Sequence, residues 1–535
     1  MTSRFAAEAF TAEERRILEP HFTNLDGPVF ALTNLPEVVK GALFARYSRT
    51  TKSLRRLFLD EFAGDVSSDG TLTHAGEARA EKLYDRVFVE YGDDSVAQLG
   101  GVHLACEQAS QLLCKALEWG RLAAYLEQST RYMRYDDKPE GRWRASVPPE
   151  IVGTDLEPRF EAFLDTAFGT YGRMYDPMED FYRAKFPQHE GDSDVVYRQT
   201  IMAKTCDTLR VLLPAATRSN LGIYATGQSY EQLLMRLRAH PLAEMREYGD
   251  LMLTELRKVI PAFLKRVDVE DRGLAWTAYW QDTRERVEEA TQKTLLGVGP
   301  AERPEVTLVD WDPDGETKLA AAVVYAASGL PDDQLLDLAR QMTPQERAAL
   351  LQASVGNRGN RRHKPGRAWE RIQYRFDVLC DYGAFRDLQR HRPLTIEWQR
   401  LTTEHGPEMP PEIEESGQRA AWDGVMDASR EMEHEMLDSG QEEAAQYAVA
   451  MAYRIRFVMQ MSAREAMHLT ELRSQPQGHP TYRRVAQTMH RLIDEVAGHH
   501  AIAGAFEYID NSDVDLARLE AERTLEAKRR TQHTD

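Results

Sequence analysis

The chain has 535 residues, 86 of them acidic and 67 basic, for a net charge of −19. An acidic excess excludes broad, non-specific nucleic-acid binding, which needs surplus Lys and Arg to displace counterions, yet it leaves room for a local anion pocket. Hydrophobic residues at 42% and charged residues at 29% describe a soluble globular protein, and no apolar run approaches the roughly 18 residues of a membrane-spanning helix.

The N-terminal stretch MTSRFAAEAFTAEERR lacks an apolar core of the signal-peptide kind, so a cytoplasmic protein is expected. Residues 1–27 read as a charged N-terminal extension. Val102, Leu104 and Cys106 alternate weakly, as in a strand. Leu209–Leu213 and Tyr230–Val267 carry apolar residues at helical spacing. Pro, Gly and Asp cluster at Gly297–Pro304 and Asp312–Gly315, which predicts a linker over 296–305. Gln334–Val355 reads as helix again. In Arg371–Leu379, Ile372, Tyr374, Phe376 and Val378 alternate with Arg, Gln, Arg and Asp, the pattern of a half-buried strand. Gln441–Leu472 reads as helix, and the charged tail 512–535, with Leu516–Arg530 at its centre, as a solvated helix or frayed end. Four cysteines (Cys106, Cys114, Cys206, Cys380) show no CxxC and no zinc spacing, so they fit a reduced compartment. His490 and Asp494, one helical turn apart, have no third metal ligand nearby, and adjacent His499 and His500 point to different faces.

Two parts of the chain share an order of features. Val29-Phe-Ala-Leu leads to Arg46-Tyr-Ser48 in the first, and Val306-Thr-Leu-Val leads to Val323-Val-Tyr-Ala-Ala-Ser328 in the second. Each continues through a strand candidate and a helix into an Arg-bearing segment. The first runs Trp119-Gly-Arg121-Leu-Ala-Ala-Tyr-Leu-Glu127-Gln-Ser129-Thr-Arg131-Tyr132. The second runs Arg390-His391-Arg392-Pro-Leu-Thr395-Ile-Glu397-Trp-Gln-Arg400-Leu-Thr402-Thr403. Each part later has a helix ending in Leu-Arg, at Arg238 and Arg473. The spacing is 271 from Arg121 to Arg392 and 235 from Arg238 to Arg473. An internal repeat with unequal insertions results.

The arginines suit an anionic ligand. Guanidinium forks match phosphate oxygens bidentately, so Arg390-His391-Arg392 suits a phosphate-bearing molecule, although an isolated cluster of this kind is more often a solvated surface. Glu127-x-Ser129-x-Arg131 offers an acceptor, a hydroxyl and a cation, the groups that a nucleotide needs. Arg210 lies where a helix gives way to a loop, and Arg238 and Arg473 close helices whose dipole they would complement. No GxGxxG after a strand, GxxxxGK[ST] or GxSxG is present.

Together these segments resemble the signature of the flavin-dependent thymidylate synthases (the ThyX family), Arg-His-Arg-x-x-Ser-x-Asn-Glu-x-Ser-x-Arg-Tyr. The first copy keeps Arg121, Glu127, Ser129, Arg131 and Tyr132, but has Trp119-Gly120 for Arg-His, Ala124 for Ser and Leu126 for Asn. The second keeps Arg390, His391, Arg392 and a Ser-like Thr395, then departs with Glu397, Trp398, Arg400 and Thr402-Thr403. Ser48 and Ser328 match an early family Ser, and Arg210-x-x-x-Pro214 the Arg before its Leu-Pro. Ser462-Ala463-Arg464 with His468, and Arg473, match its late motifs. Asp387 stands where the family often has Gln, and Glu244 and Arg246 alter another stretch.

The resemblance implies a helix-rich α/β (α+β) fold present twice, with repeat 1 over 28–295 and repeat 2 over 306–511, as an intrachain pseudo-dimer. It also implies one composite site. Repeat 2 supplies Arg390, His391, Arg392, Arg464, His468 and Arg473; repeat 1 supplies Glu127, Ser129, Arg131 and Arg210. Gln446 replaces Arg210 in the second copy, and Gln228 replaces Arg464 in the first. The reciprocal combination pairs Trp119-Gly120 with Arg400 and Thr402 and has lost the motif. By resemblance, Arg390, His391, Arg392, Glu127, Arg464 and His468 bind FAD. Glu127, Ser129, Arg131, Arg210, Arg390 and Arg473 bind the pyrimidine nucleotide, and Arg473 is catalytic. Methylenetetrahydrofolate and NADPH would be co-substrates, dUMP would become dTMP, and a homodimer would stand for the family's tetramer. No metal, nucleic acid or membrane enters. The alternatives are another uridine nucleotide as substrate, or a non-catalytic flavin- or nucleotide-binding relic with a role in assembly.

Overall fold

The computed structural model describes residues 8–47, 50–62, 98–190 and 192–512. Ser48 and the tail segment Leu516–Arg530 lie outside them.

In the first half, α1 (Ala12–Leu18), α2 (Glu37–Tyr47) and α3 (Leu54–Phe62) precede β1 (Gly101–Ser110). Then come α4 (Gln111–Glu118), β2 (Ala123–Glu127), α5 (Leu156–Lys185) and α6 (Asp194–Leu209). The half closes with β3 (Arg218–Thr226), α7 (Gly227–Arg238), α8 (Ala243–Leu256) and α9 (Ala275–Thr294). The second half opens with β4 (Val306–Trp311), α10 (Gly315–Ser328), α11 (Asp332–Gln341) and α12 (Pro344–Val355). It continues with β5 (Gln373–Asp381), α13 (Tyr382–Leu388), β6 (Leu394–Trp398), α14 (Pro411–Glu415) and α15 (Arg419–Asp438). β7 (Arg454–Ser462), α16 (Ala463–Arg473), α17 (Pro480–Glu495) and α18 (His500–Gly504) complete it.

The duplication is visible in the topology. One sheet has the order β1-β3-β2 and the other β4-β5-β7-β6, so β5-β7-β6 repeats the first pattern after an added strand. Local chemistry repeats too. β1 ends in Ser110, which caps α4 by accepting from the Leu113 N–H, and β5 ends in Asp381, which caps α13 by accepting from the Ala384 N–H at 2.8 Å. Thr226 and Ser462 likewise close β3 and β7 and cap α7 and α16. A hydroxyl or carboxylate at a strand end satisfies the orphan amides of the following helix, so each strand turns into a helix without a loop. The fold is helix-rich α+β with small antiparallel sheets, as expected.

Several elements differ from the sequence reading. The strand expected at 371–379 runs over Gln373–Asp381, with Tyr374, Phe376 and Val378 buried. The helix read over 441–472 is instead a 3-10 turn (Ala444–Ala448), β7 and α16. Ile455, Phe457, Met459 and Met461 alternate toward the core, but Val458 on the other face blurs the period. The run 230–267 breaks after Arg238, with Pro241 just beyond it, and 334–355 breaks at Thr343-Pro344, where Thr343 and Glu346 form a capping box. Asp494 pairs with His500 at 2.7 Å rather than with His490. His499 is buried between the Tyr374 hydroxyl (2.6 Å) and the Asp312 carbonyl (2.9 Å). All four cysteines are buried thiols, and no described helix is long and apolar enough to cross a membrane.

Two compact units cut across the repeats. The first comprises 1–107, 122–127 and 220–297, and the second comprises 108–121, 128–219 and 298–535. The second unit therefore contains most of the middle of the first repeat. Within it, Val211–Ala216 pairs antiparallel with Tyr447–Ala452: Ala215 N–H donates to Val449 O (2.9 Å), Met451 N–H to Leu213 O (2.9 Å) and Ala452 N–H to Val211 O (2.9 Å). Both segments are buried, so their backbone groups must find partners, and each repeat supplies the other's. Helix α13 is joined to α4 by Tyr382 Oη donating to Gln111 O at 3.2 Å, and just beyond α13 the Gln389 amide donates to Lys115 O at 3.2 Å.

α16, which carries Arg464, His468 and Arg473, is held by a bidentate pair in the core. Arg358 donates to both Glu471 oxygens at 2.5 Å, and both side chains are 1% exposed. Glu471→Ala strands a buried guanidinium and is expected to cost about 3–5 kcal/mol, read as a lower urea midpoint with an unchanged slope.

Candidate functional site

The second unit brings charged and imidazole side chains from both repeats into one network. α6 is buried along Thr205–Leu209, and its end delivers Asp207 and Arg210 on one face at i,i+3 spacing. Asp207 lies 3.2 Å from Arg210 Nε and 3.0 Å from Arg131 Nε. From the second repeat, α13 and the turn after it deliver Asp387 and Arg390 at the same spacing, in contact through their side chains. Arg210 Nη2 stands 3.9 Å from Asp387, and Arg473 Nη1 stands 3.6 Å from it. Arg386 donates to Thr130 Oγ1 at 3.4 Å, and Arg131 to the Gln477 carbonyl at 3.4 Å.

Arg473 is fixed on three sides. Its Nε donates to His391 Nε2 at 3.0 Å and its Nη2 to the Asp387 carbonyl at 2.5 Å, and its guanidinium lies 5.4 Å from the Tyr482 ring centroid. His391 Nδ1 is 2.9 Å from Glu465 Oε1, and the His391 and His468 rings are 5.5 Å apart. His391, Glu465 and His468 bring one possible metal-ligand atom each within 4.8 Å of one another. Burial, then the cations Arg473, Arg390 and Lys364 with His468, keep the His391 imidazole neutral.

Electrostatics follow burial. Burial works to raise the Asp207 pKa, but Arg131 and Arg210 overcome it and hold the carboxyl below its usual range. Arg210 and Arg473 are lowered by burial. Asp381, behind Arg210, is pushed up to about 7 by burial with Glu408 adding to it. A cavity of about 70 Å³ here is lined by Lys204, Asp207, Asp381, Glu408 and His479, and burial takes His479 down to about 3.

Of the residues singled out in the sequence, Arg131, Arg210, Arg390, His391 and Arg473 meet in this network. Ser129 is half-buried and its hydroxyl accepts from the Arg131 N–H at 3.2 Å. Arg392 is exposed beside β6, and Arg464 donates to the Pro365 carbonyl at 2.9 Å. Glu127 belongs to the first unit, where it ends β2 opposite Leu221 of β3. Sequence reasoning missed Asp207, Glu465, Asp381 and Tyr482, and took Asp387 only as a departure. The repeated Asp-x-x-Arg of Asp207–Arg210 and Asp387–Arg390 is the signal that would have exposed two of them.

The positions of the reciprocal site are occupied differently. Trp119, at the place of Arg390, donates to Ile396 O at 3.2 Å and packs edge-on to Trp398. Arg400, at the place of Ser129, pairs with Glu443 at 2.6 Å, and Gln446 accepts from the Leu401 N–H at 3.1 Å.

A family model described as thymidylate synthase complementing protein matches residues 44–262 and again 307–498. A UPF0159 protein of Chlamydia pneumoniae is 38% identical over 522 residues, 96% of this chain and 98% of that protein. One from Chlamydia muridarum is also 38% identical, over 520 residues, with the same shares. One from Thermoplasma acidophilum is 29% identical, covering 90% and 97%. Among solved structures, a UMP/dUMP methylase PolB from Streptomyces cacaoi bound with 5-Br dUMP matches 38% of this chain and 94% of its own, at 19% identity and a TM-score of 0.29.

A buried carboxyl with a raised pKa destabilises the fold as pH rises, because the unfolded chain gives up its proton first. For Asp381 this penalty grows from about pH 4 and is complete above the folded value near 7. Asp381→Asn keeps an acceptor for the Ala384 N–H. It is expected to match the parent's melting temperature near pH 4 and exceed it increasingly up to pH 8.

Proposed function

The chain belongs to the thymidylate synthase complementing protein family, and from this premise we propose that it is a flavin-dependent methyltransferase with one composite site per chain. The observation that carries the reading is the arginine network spanning both repeats within one compact unit. Among the described residues, Arg131, Arg210, Arg390 and Arg473 converge from the two repeats on Asp207 and Asp387, and Asp381 also acts on Arg210. Such a donor set fits a phosphorylated ligand.

In this reading Ser129, Arg131 and Arg210 hold the phosphate and sugar of a pyrimidine nucleotide, dUMP in the first instance, with Arg390 at its margin. Arg390, His391, Arg392, Arg464 and His468 hold FAD. The exposed Arg392 and the half-exposed Arg390 offer donors on a solvent-facing side, which suits a pyrophosphate. The flavin, when bound, supplies the reducing equivalents drawn from NADPH, and methylenetetrahydrofolate supplies the carbon. Arg473 is placed beside the ring carbonyl, where a fixed guanidinium in a buried setting stabilises the electron-rich pyrimidine that attacks through C5. Asp387 holds the backbone carbonyl and the carboxylate against which Arg473 is oriented. No cysteine nucleophile is required, in keeping with four buried thiols.

A second substrate is favoured by one feature. Asp387 puts a carboxylate where the family often has an amide, so another uridine nucleotide is the alternative within the same chemistry. The chain would assemble as a homodimer standing for a tetramer of single-repeat subunits.

Arg473→Ala is expected to abolish tritium release from C5-labelled dUMP, or from labelled UMP if that is the substrate, while retaining flavin absorbance. Full turnover by this variant overturns the assignment. Colourless protein that FAD does not reconstitute points instead to a relic. An intrachain site makes a second prediction. Co-expressed Arg210→Ala and Arg473→Ala chains stay inactive, because each site draws both residues from one polypeptide. Recovery of about a quarter of the activity or more would place the site between chains.

A further inference from the structure

The contact between Arg473 and His391 fixes a proton. A guanidinium is a donor only, so the Arg473 Nε–H that points at His391 Nε2 from 3.0 Å requires a lone pair on that nitrogen. A neutral imidazole with Nε2 bare carries its hydrogen on Nδ1, and Nδ1 faces Glu465 Oε1 at 2.9 Å. Glu465 is buried on α16, two turns before Arg473 on the same helix, and its N–H closes on the Ser462 cap of that helix. The order is therefore carboxylate, imidazole, guanidinium, with a single consistent set of hydrogens.

We propose that Glu465 is a positioning residue that selects the Nδ1–H tautomer of His391 and thereby anchors the Arg473 guanidinium toward the reacting pyrimidine. The tautomer of an imidazole is set by the bond its other nitrogen makes. Without an acceptor at Nδ1, the proton can move to Nε2, where it confronts the Arg473 N–H and releases the arginine from one of its three anchors. Asp387 O and Tyr482 remain as the other two, so Arg473 loses orientation rather than its place. The cluster's competing reading is a divalent cation held by His391, Glu465 and His468. The cations around it argue against that reading: Lys364, Arg361, Arg464 and Arg473 all act on His468, and Lys364 and Arg464 act on Glu465.

The kinetic part of the test rests on the methyltransferase reading, and the spectroscopic part does not. Full-length protein with 15N-labelled histidines, its His391 signals assigned by their loss in His391→Gln, is expected to show a protonated Nδ1 and a bare Nε2. A protonated Nε2 overturns the proposal whether or not the protein turns over dUMP. If wild type is active, Glu465→Ala should lower kcat about 10- to 100-fold, the usual loss when the partner orienting a functional histidine is removed, with KM for the nucleotide nearly unchanged. Glu465→Gln, whose carbonyl accepts the same Nδ1–H, should recover most of it. His391→Gln presents an acceptor near the Nε2 position and should retain more activity than His391→Asn, which presents one near Nδ1. Equal losses in Glu465→Ala and Glu465→Gln, or the reverse order at His391, overturn the proposal. So does stoichiometric zinc, manganese or iron in purified protein whose removal by EDTA abolishes the tautomer signal.

Discussion

The structure depends on keeping several guanidinium groups charged where little water reaches them. Arg210 is 3% exposed on its side chain and sits deeper than an unpaired charge tolerates. Its solution is Asp207, which serves Arg131 as well, with Asp387 approaching from the other repeat. A buried cation with one counter-ion costs desolvation on both partners, and the pair persists only when neighbouring groups complete the network. That requirement joins the repeats electrostatically at the same place where Val211–Ala216 and Tyr447–Ala452 join them by backbone hydrogen bonds. Packing and charge thus bear on the same residues, because the helix that ends at Arg210 leads directly into the paired segment.

The two carboxylates also divide their work. Among the described residues, the arginines that Asp207 pairs with both come from the first repeat, whereas Asp387 contacts Arg390 and Arg473 on its own side and Arg210 across the junction. Asp387 uses its backbone as well as its side chain, since its carbonyl accepts from Arg473 Nη2. A substitution there changes the charge of the site without removing the backbone anchor. The orientation of Arg473 is over-determined by His391, Asp387 O and Tyr482, and this kind of preorganisation makes a fixed dipole effective at a developing charge.

The duplication and the gathering of arginines were legible because they are written in residue types. Arg390-His391-Arg392 and Glu127-x-Ser129-x-Arg131 are visible as strings, and Arg371–Leu379 announces its strand by clean alternation. β7 was not legible, because Val458 fills the outward face with another apolar side chain and removes the contrast on which the period depends. The helices in 230–267 and 334–355 were overextended across prolines whose local effect outweighs the continuing apolar spacing. The carboxylates escaped notice for a different reason. Asp207, Asp387 and Glu465 resemble any acidic helix residue until the fold shows which cation or imidazole each one meets, and that information is non-local by nature. The compact units were equally hidden, since 108–121 and 128–219 join the second half through contacts far away in sequence.

A tandem copy allows an asymmetry that identical subunits cannot have. In a symmetric assembly every residue appears in each equivalent position, so a side chain needed on one face of a site must be tolerated on the other. Fusing two copies lifts that constraint. Trp119 can then stand where Arg390 stands, using its indole N–H on Ile396 O, and Arg400 can pair with Glu443, which precedes β7 as Asp207 precedes β3. These replacements are structural rather than vacant. Each makes a hydrogen bond or an ion pair: Trp119 reaches across to the second repeat, whereas Arg400 and Gln446 bond within it. The complementary arginines persist where Asp207 and Asp387 balance them, and they have gone where Trp119, Arg400 and Gln446 have partners of their own. Loss on one side and retention on the other therefore follow the partners at hand: the buried Arg210 is kept where Asp207 meets it, and the more exposed Trp119 and Arg400 stand where Ile396 O and Glu443 meet them.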